Sequence, residues 1–146
     1  MFKKFTSAAV LMVGLAAFTA CDKDNNTTPA NDTVQLTASL TGAQEVPANA
    51  SAGTGSFTGS YNKSTHVLTY TVTYQGITPT MGHIHAGVAG QNGDAFVPFS
   101  NVASSPITGT ATLSDASANS LLSGAYVNFH SSAYAGGEIR GNITTK

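Results

Sequence analysis

A strict alternation of apolar and polar side chains is the feature that most constrains the fold of this chain. Successive side chains of a β-strand point to opposite faces, so a period of two indicates a half-buried strand. Between residues 67 and 74 one face carries Leu68, Tyr70, Val72 and Tyr74, and the other carries Val67, Thr69, Thr71 and Thr73. The same period begins at Val34 and runs to Leu40. The pattern therefore predicts an antiparallel sheet with one buried face.

Further short strands are predicted at close spacing along the rest of the chain. The predicted strands cover residues 34–40, 53–61, 66–74, 82–86, 95–99, 107–113, 125–131 and 138–143. A Ser-Asp start and a final glycine predict one short helix within residues 114–124. The glycine-rich residues 87–94 predict a wide hairpin turn. Together these elements predict an all-β domain, either an antiparallel β-sandwich or a Greek-key barrel with one short helix.

The first 21 residues have the three parts of an export signal. Lys3 and Lys4 precede an apolar run over residues 8–18, which ends in the lipobox-like Phe18-Thr19-Ala20-Cys21. An apolar run of about eleven residues is too short for the roughly 20 that span a bilayer. The segment resembles a bacterial lipoprotein signal peptide, in which the chain is cut before the cysteine and Cys21 is lipidated. The alternative is an ordinary signal peptide with an incidental cysteine.

This signal predicts three parts of the chain and a location for it. We expect a signal peptide over residues 1–20, a lipid-anchored flexible tether over 21–32 and a folded domain over 33–146. The tether is polar and nearly free of apolar groups, so it cannot bury enough surface to offset its ordering entropy. We expect the lipid on Cys21 to attach the exported protein to the envelope, at the outer membrane or cell surface of a Gram-negative bacterium.

Composition excludes several classes of function. Cys21 is the only cysteine, so no disulfide can form within the chain. Without Lys3 and Lys4 the mature chain keeps four basic against seven acidic residues and has no basic stripe, so nucleic acid is not an expected partner. The chain contains no nucleophile elbow, phosphate-binding glycine loop or zinc-binding cysteine cluster. An enzymatic activity therefore has little support.

The sharpest signal for chemistry is His83-Ile84-His85, which lies in a predicted strand. Residues i and i+2 share a face, so both imidazoles point one way and Ile84 points into the core. Two histidines held in this way can bind one metal ion. The alternation in residues 125–131 places His130 on the polar face of another strand.

The polar faces of two later strands extend this candidate site. Alternation places Asn128 beside His130 in one strand, and Glu138 with Arg140 in the next. If the three strands are neighbours, His83, His85 and His130 form a candidate site for copper or zinc, and Asn128, Glu138 and Arg140 form a polar cluster beside it. The alternatives are a solvated ion pair between Glu138 and Arg140, or a structural hydrogen-bond network.

Four sequence blocks carry a family resemblance. They are residues 40–47 (LTGAQEVP), 82–87 (GHIHAG), 125–130 (AYVNFH) and 136–141 (GGEIRG). In this order they resemble the CHRD domain, which occurs in chordin and is common in bacterial secreted proteins, from about residue 34 to 143. The family has no settled biochemical activity. Because CHRD domains of chordin accompany modules that bind growth factors, the resemblance implies a protein-binding or scaffold role.

A fainter similarity leads to the copper/zinc superoxide dismutases. Those enzymes use a His-x-His pair, further histidine ligands and an arginine that attracts the anion, and His83-Ile84-His85 with Arg140 is similar to this set. The chain departs from the family in having too few histidines for a dinuclear site and no disulfide cysteines.

The sequence therefore predicts a lipid-anchored envelope protein with one CHRD domain. We expect it to be a non-catalytic binding or scaffold module for a protein, glycan or metal ligand. The alternative is a copper- or zinc-binding protein that uses His83, His85 and His130 and is related in chemistry to superoxide dismutase. A purely structural surface protein is the third possibility.

Overall fold

The structure, a computed structural model, describes residues 32–146. The predicted signal peptide, Cys21 and most of the predicted tether lie outside the described residues. The elements are β1 (Thr33–Thr41), a 3-10 turn (Gly42–Gln44), β2 (Thr54–Asn62), β3 (Val67–Gln75), β4 (Pro79–Ala86), β5 (Ala95–Pro98), β6 (Ile107–Thr112), α1 (Asp115–Ser123), β7 (Ala125–Ser131), β8 (Ile139–Asn142) and β9 (Thr144–Thr145).

The first three strands form a regular antiparallel meander. Over their full lengths β1 pairs with β2 and β2 pairs with β3. The alternation predicted for residues 67–74 is confirmed, because Leu68, Tyr70 and Val72 are buried and the threonines between them are not. Threonine on the outer face suits a strand because its branched side chain packs well on a pleated surface.

The strands join into one antiparallel sheet with the order β5-β4-β7-β8-β1-β2-β3-β6, and β9 adds to β1. This sheet curls into a nearly closed barrel, so the barrel is the correct one of the two predicted all-β architectures. In this order β7 lies between β4 and β8. The adjacency on which the predicted histidine site depended is therefore present.

Aromatic side chains fill the barrel where the ends of the sheet approach each other. The ring centroid of Phe99, just after β5, lies 5.3 Å from that of Tyr70 on β3 and 5.6 Å from that of Phe129 on β7. The Tyr74 hydroxyl donates to the Val102 carbonyl at 2.6 Å. The segment between β5 and β6 thus covers the gap between the two edges, and backbone groups at this opening gain partners.

The one α-helix forms where its capping residues predicted it. The Ser114 side chain accepts a hydrogen bond from the Ser117 backbone N–H at 3.2 Å, which satisfies a free donor of the first turn. Gly124 follows the last turn, and Ala118 and Leu121 pack into the core. In the described part of the chain, no helix is both long and apolar enough to cross a membrane.

The pleat of β4 determines which of its side chains can form a site. Gly82 and Ile84 point into the barrel and are buried, so the alternate residues of β4 point outward. Strand β4 begins at Pro79, three residues earlier than predicted. Its outward residues lie opposite outward residues of β7 in three pairs, which are Met81 with His130, His83 with Asn128, and His85 with Tyr126.

Candidate metal centre

Three histidines from two neighbouring strands meet on the outer face of the barrel. The ring centroid of His83 lies 5.4 Å from that of His85 and 5.6 Å from that of His130, and the last two are 6.0 Å apart. One nitrogen of each ring can be chosen so that all three atoms lie within 4.8 Å of one another. We call these three residues the histidine cluster. All three are partly exposed.

Backbone carbonyls orient two of the three rings. His85 Nδ1 lies 2.9 Å from the Gly93 carbonyl oxygen, and His130 Nδ1 lies 3.0 Å from the Ala135 carbonyl oxygen. A carbonyl oxygen only accepts, so each Nδ1 carries the hydrogen and each neutral ring has its lone pair on Nε2. Metal-binding histidines are commonly fixed in this way, with one nitrogen donating to a carbonyl and the other free for the ion.

Two nitrogens of the cluster are buried without a protein partner. Within residues 32–146 no group hydrogen-bonds to His83 Nδ1 or to His85 Nε2. Burial lowers the pKa of His83, and the neighbouring His85 and His130 lower it further. Burial also lowers the pKa of His85, against the hydrogen bond to Gly93, which raises it. Both rings are therefore neutral at pH 7, the form in which imidazole binds metals.

The geometry of the cluster fits a transition metal. Zinc and copper hold imidazole nitrogens at about 2.0–2.1 Å, which places neighbouring ligand nitrogens about 3.3–3.6 Å apart. The cluster nitrogens are within 4.8 Å, so small side-chain rotations would bring them to that separation. Three histidines are a ligand set suited to zinc or copper, and the partly exposed face leaves a position for a fourth ligand.

Tyr126 connects the histidine cluster with the β4–β5 loop (residues 87–94). Its ring stacks on His85 with centroids 5.0 Å apart and planes 12° from parallel. Its hydroxyl accepts from the Gly93 backbone N–H at 3.1 Å and lies 3.4 Å from the Gly93 carbonyl. Gly93 is also the residue that orients His85. Tyr126, for which the sequence analysis proposed no role, thus positions the carbonyl that selects the tautomer of His85.

Arg140 lies beneath the β4–β5 loop. The sequence predicted it on an outward face, and the structure places it there, but the loop covers it and its exposure is 0%. Its guanidinium lies 3.5 Å from the centroid of the Tyr126 ring. It donates hydrogen bonds to Asn92 Oδ1 at 3.0 Å, the Val88 carbonyl at 3.1 Å and the Gln91 carbonyl at 2.7 Å. These bonds hold the loop against β8, so we call Arg140 and its loop acceptors the arginine cluster.

Glu138 has different partners from Arg140. Its Oε1 accepts a hydrogen bond from Ser51 Oγ at 2.9 Å, and Asn49 Nδ2 donates to the Glu138 carbonyl at 3.1 Å. Among residues 32–146 no ion pair joins Glu138 and Arg140, and both side chains are buried. The solvated ion pair between these two residues, one of the two alternatives to a functional cluster, is therefore not formed. Glu138 instead attaches the segment after the 3-10 turn to the start of β8.

Glu45 is a buried carboxyl that the sequence analysis did not identify as part of the site. It lies just after the 3-10 turn with 6% exposure, and Asn128 Nδ2 donates to its Oε2 at 3.4 Å. Burial raises the pKa of Glu45 to about 7, although Arg140 and the bond from Asn128 act in the opposite direction. No single local signal identifies it, because the turn that carries Glu45 reaches Asn128 across 83 positions of sequence.

Comparison with known proteins gives one match. A family model described as the CHRD domain matches residues 36–143, which is most of the chain. The matched range contains the three histidines, Asn128, Glu138 and Arg140. No curated protein and no solved structure matches the chain.

Proposed function

The chain belongs to the CHRD domain family, and from this premise we propose that its domain is a non-catalytic binding module whose ligand is a copper or zinc ion held by His83, His85 and His130. The observation that carries the proposal is the pair of buried, unpartnered ring nitrogens of His83 and His85 in a three-histidine cluster. The other buried atoms without a partner within residues 32–146, which are Glu45 Oε1, Asn128 Oδ1 and Arg140 Nε, do not belong to a cluster of metal-binding side chains.

The energetics of burial favour this reading over a structural role for the histidines. A buried polar atom without a hydrogen bond costs about 1–3 kcal/mol, and native proteins keep few of them. In a structural network most buried ring nitrogens would find a partner, as the terminal nitrogens of Arg140 do. A metal ion would satisfy two buried lone pairs and that of His130 together, and His85 and His130 already donate their other nitrogen to backbone carbonyls.

A binding role is better supported than a dismutase reaction. The resemblance to superoxide dismutases needs an arginine that attracts an anion. The guanidinium of Arg140 is instead directed to loop carbonyls and the Tyr126 ring, beneath the β4–β5 loop. When bound, copper or zinc would act as a Lewis acid at this face, and the chain would supply three neutral imidazoles to hold it.

The test is metal content by mass spectrometry on tag-free protein after incubation with copper or zinc. We expect about one ion per chain in the wild type and almost none in His83→Ala/His85→Ala. The matched control is His66→Ala, because His66 is the one histidine outside the cluster and lies in the turn before β3, where its Nδ1 is 3.4 Å from Asp115 Oδ1. It should bind as the wild type does.

Two results would overturn the proposal. One is a wild-type chain that is folded by circular dichroism yet takes up neither metal. The other is equal uptake by the wild type and His83→Ala/His85→Ala, which would place the ion elsewhere. Either would direct the search to protein and glycan partners.

We also propose that the domain is exported and anchored through lipid on Cys21. The support is the order of Lys3, Lys4, the apolar run and the lipobox-like residues. Cys21→Ser should move the protein from the membrane fraction to the soluble fraction, and metabolic labelling with a fatty acid should disappear with it. A variant that stays in the membrane fraction would contradict the anchor.

A further inference from the structure

Met81 is an exposed methionine beside the histidine cluster. Its exposure is 49%, and only Val88 and Leu122 are other large apolar residues of comparable exposure among residues 32–146. Val88 lies in the β4–β5 loop and Leu122 on α1, so Met81 is the one of these three that lies on β4. About half of the Met81 side chain is therefore accessible on the strand that carries His83 and His85.

The pleat and the register of β4 place Met81 on the face that carries the cluster. It precedes His83 by two residues, so their side chains leave the strand on the same side. It lies directly opposite His130 on β7, a pairing that holds Cβ atoms about 4.5–5.5 Å apart. Met81 therefore has His83 as its neighbour along β4 and His130 as its neighbour across the strand pair.

The neighbouring Gly82 explains why this orientation is fixed. Gly82 is buried, and a Cβ on it would lie 2.6 Å from ring atoms of Phe129. The backbone of β4 thus rests directly on the core at this position, and no rotation of the strand can turn Met81 inward. Methionine has three rotatable side-chain bonds, which allow its sulfur to reach an ion held by the rings beside it.

We propose that Met81 supplies a thioether ligand to the metal of the histidine cluster and makes the site selective for copper(I). This inference rests on the proposed metal-binding function. A thioether is a soft ligand that favours copper(I), and zinc sites are built from imidazole, carboxylate and thiolate groups. Three imidazoles alone do not separate zinc from copper, whereas three imidazoles and one thioether do.

The experiment compares copper(I) and zinc affinities in the full chain carrying Cys21→Ser, so that methionine is the remaining source of sulfur. Copper(I) is added anaerobically in competition with a chromophoric chelator, and zinc is titrated separately. Met81→Leu removes the sulfur and keeps the size of the side chain. We expect it to weaken copper(I) binding by about 10-fold or more and to change zinc binding by less than about 2-fold.

Leu122→Ala is the matched control, since it removes an exposed apolar side chain that lies on α1. It should leave both affinities unchanged. X-ray absorption of the copper(I) form provides a second readout, with sulfur scattering present in the Cys21→Ser chain and absent when Met81→Leu is added.

The outcomes separate this proposal from the one on which it rests. If copper(I) binds equally well to the Met81→Leu chain and no sulfur is seen, Met81 is not a ligand and the three-histidine site stands. If the variant weakens zinc and copper(I) alike, Met81 supports the structure and the claim of selectivity fails. If the wild-type sequence binds neither ion, both proposals fail.

Discussion

Two polar clusters lie side by side on the outer face of the same sheet, and they differ in how many of their polar atoms have partners. The two terminal nitrogens of the Arg140 guanidinium donate hydrogen bonds to loop acceptors and the Tyr126 ring lies against it, so that only its Nε has no partner within residues 32–146. The histidine cluster, two strands away at most, leaves two buried ring nitrogens without a partner within residues 32–146. A charged side chain that reaches several loop acceptors holds the fold together, whereas unpartnered ring nitrogens on a partly exposed face suit the proposed ligand.

The largest expected effect concerns the arginine cluster. Arg140→Met should lower the free energy of unfolding of metal-free protein by about 3 kcal/mol, because several acceptors of the β4–β5 loop lose a charged donor. Urea unfolding at pH 7 measures it. Arg140→Lys keeps the charge but not the planar fork, so it should recover part of the loss. A loss below about 0.5 kcal/mol in Arg140→Met would mean that the cluster does not hold the loop.

The histidine cluster should depend on metal for its stability, which the arginine cluster does not. Without metal, His83→Ala/His85→Ala should lower the free energy of unfolding by only about 1–2 kcal/mol, because the removal of two unpartnered buried nitrogens offsets part of the lost His85 hydrogen bond to Gly93 and stack on Tyr126. With metal at 100 times its Kd, the wild type should gain about 2.7 kcal/mol and the variant nothing. Thermal unfolding with and without metal measures both numbers. A metal-independent loss as large as that of Arg140→Met would abolish the contrast between the clusters.

Much of the fold follows from local sequence. The alternation in residues 67–74 and the capping residues Ser114 and Gly124 predicted β3 and α1 to within a residue or two of their observed ends. The predicted start of β4 was three residues too late, because residues 79–82 do not show the alternation of apolar and polar side chains that indicates a strand. As a result Met81 was not recognised as an outward neighbour of His83.

The site was predictable only in part, because its composition depends on strand order. Alternation gives the outward direction of His83, His85 and His130 but not the adjacency of β4 and β7. The burial of Arg140 could not be predicted either, since it depends on the β4–β5 loop folding back over β8. Glu45 reaches Asn128 from a turn far away in sequence, and no local pattern encodes that contact.

Glu45 shares a property with each cluster. It is buried, as Arg140 is, and its Oε1 has no hydrogen-bond partner within residues 32–146, as is also true of two ring nitrogens of the histidine cluster. Its pKa of about 7 lies above its ordinary value of 4.5, so burial of the ionised form destabilises the fold. The stability that Glu45 contributes is present below about pH 4.5 and is lost as pH rises through about 7. Arg140, Asn128 and the Val46 backbone, which favour the ionised form, reduce this loss but do not reverse it.

Glu45→Gln should therefore be more stable than the wild type at pH 8 by about 1–2 kcal/mol after solvent screening, and nearly equal to it at pH 5. Urea unfolding of both proteins at the two pH values measures the difference. A stability difference that does not change between pH 5 and pH 8 would show that Glu45 titrates at its ordinary value in the folded protein.

The smallest expected effect lies at Tyr126, which contacts both clusters. Tyr126→Phe keeps the ring that stacks on His85 and lies beside Arg140, and it removes only the hydroxyl bonded to Gly93. The free energy of unfolding should fall by about 1 kcal/mol, the net value of one hydrogen bond. Metal affinity should fall by a few-fold, because the carbonyl of Gly93 that orients His85 is less firmly held. Tyr126→Leu, which also removes the ring, should lower both quantities further. If Tyr126→Phe lowers stability while metal affinity stays at the wild-type value, the two clusters are independent, and the orientation of His85 does not depend on the loop that Arg140 holds.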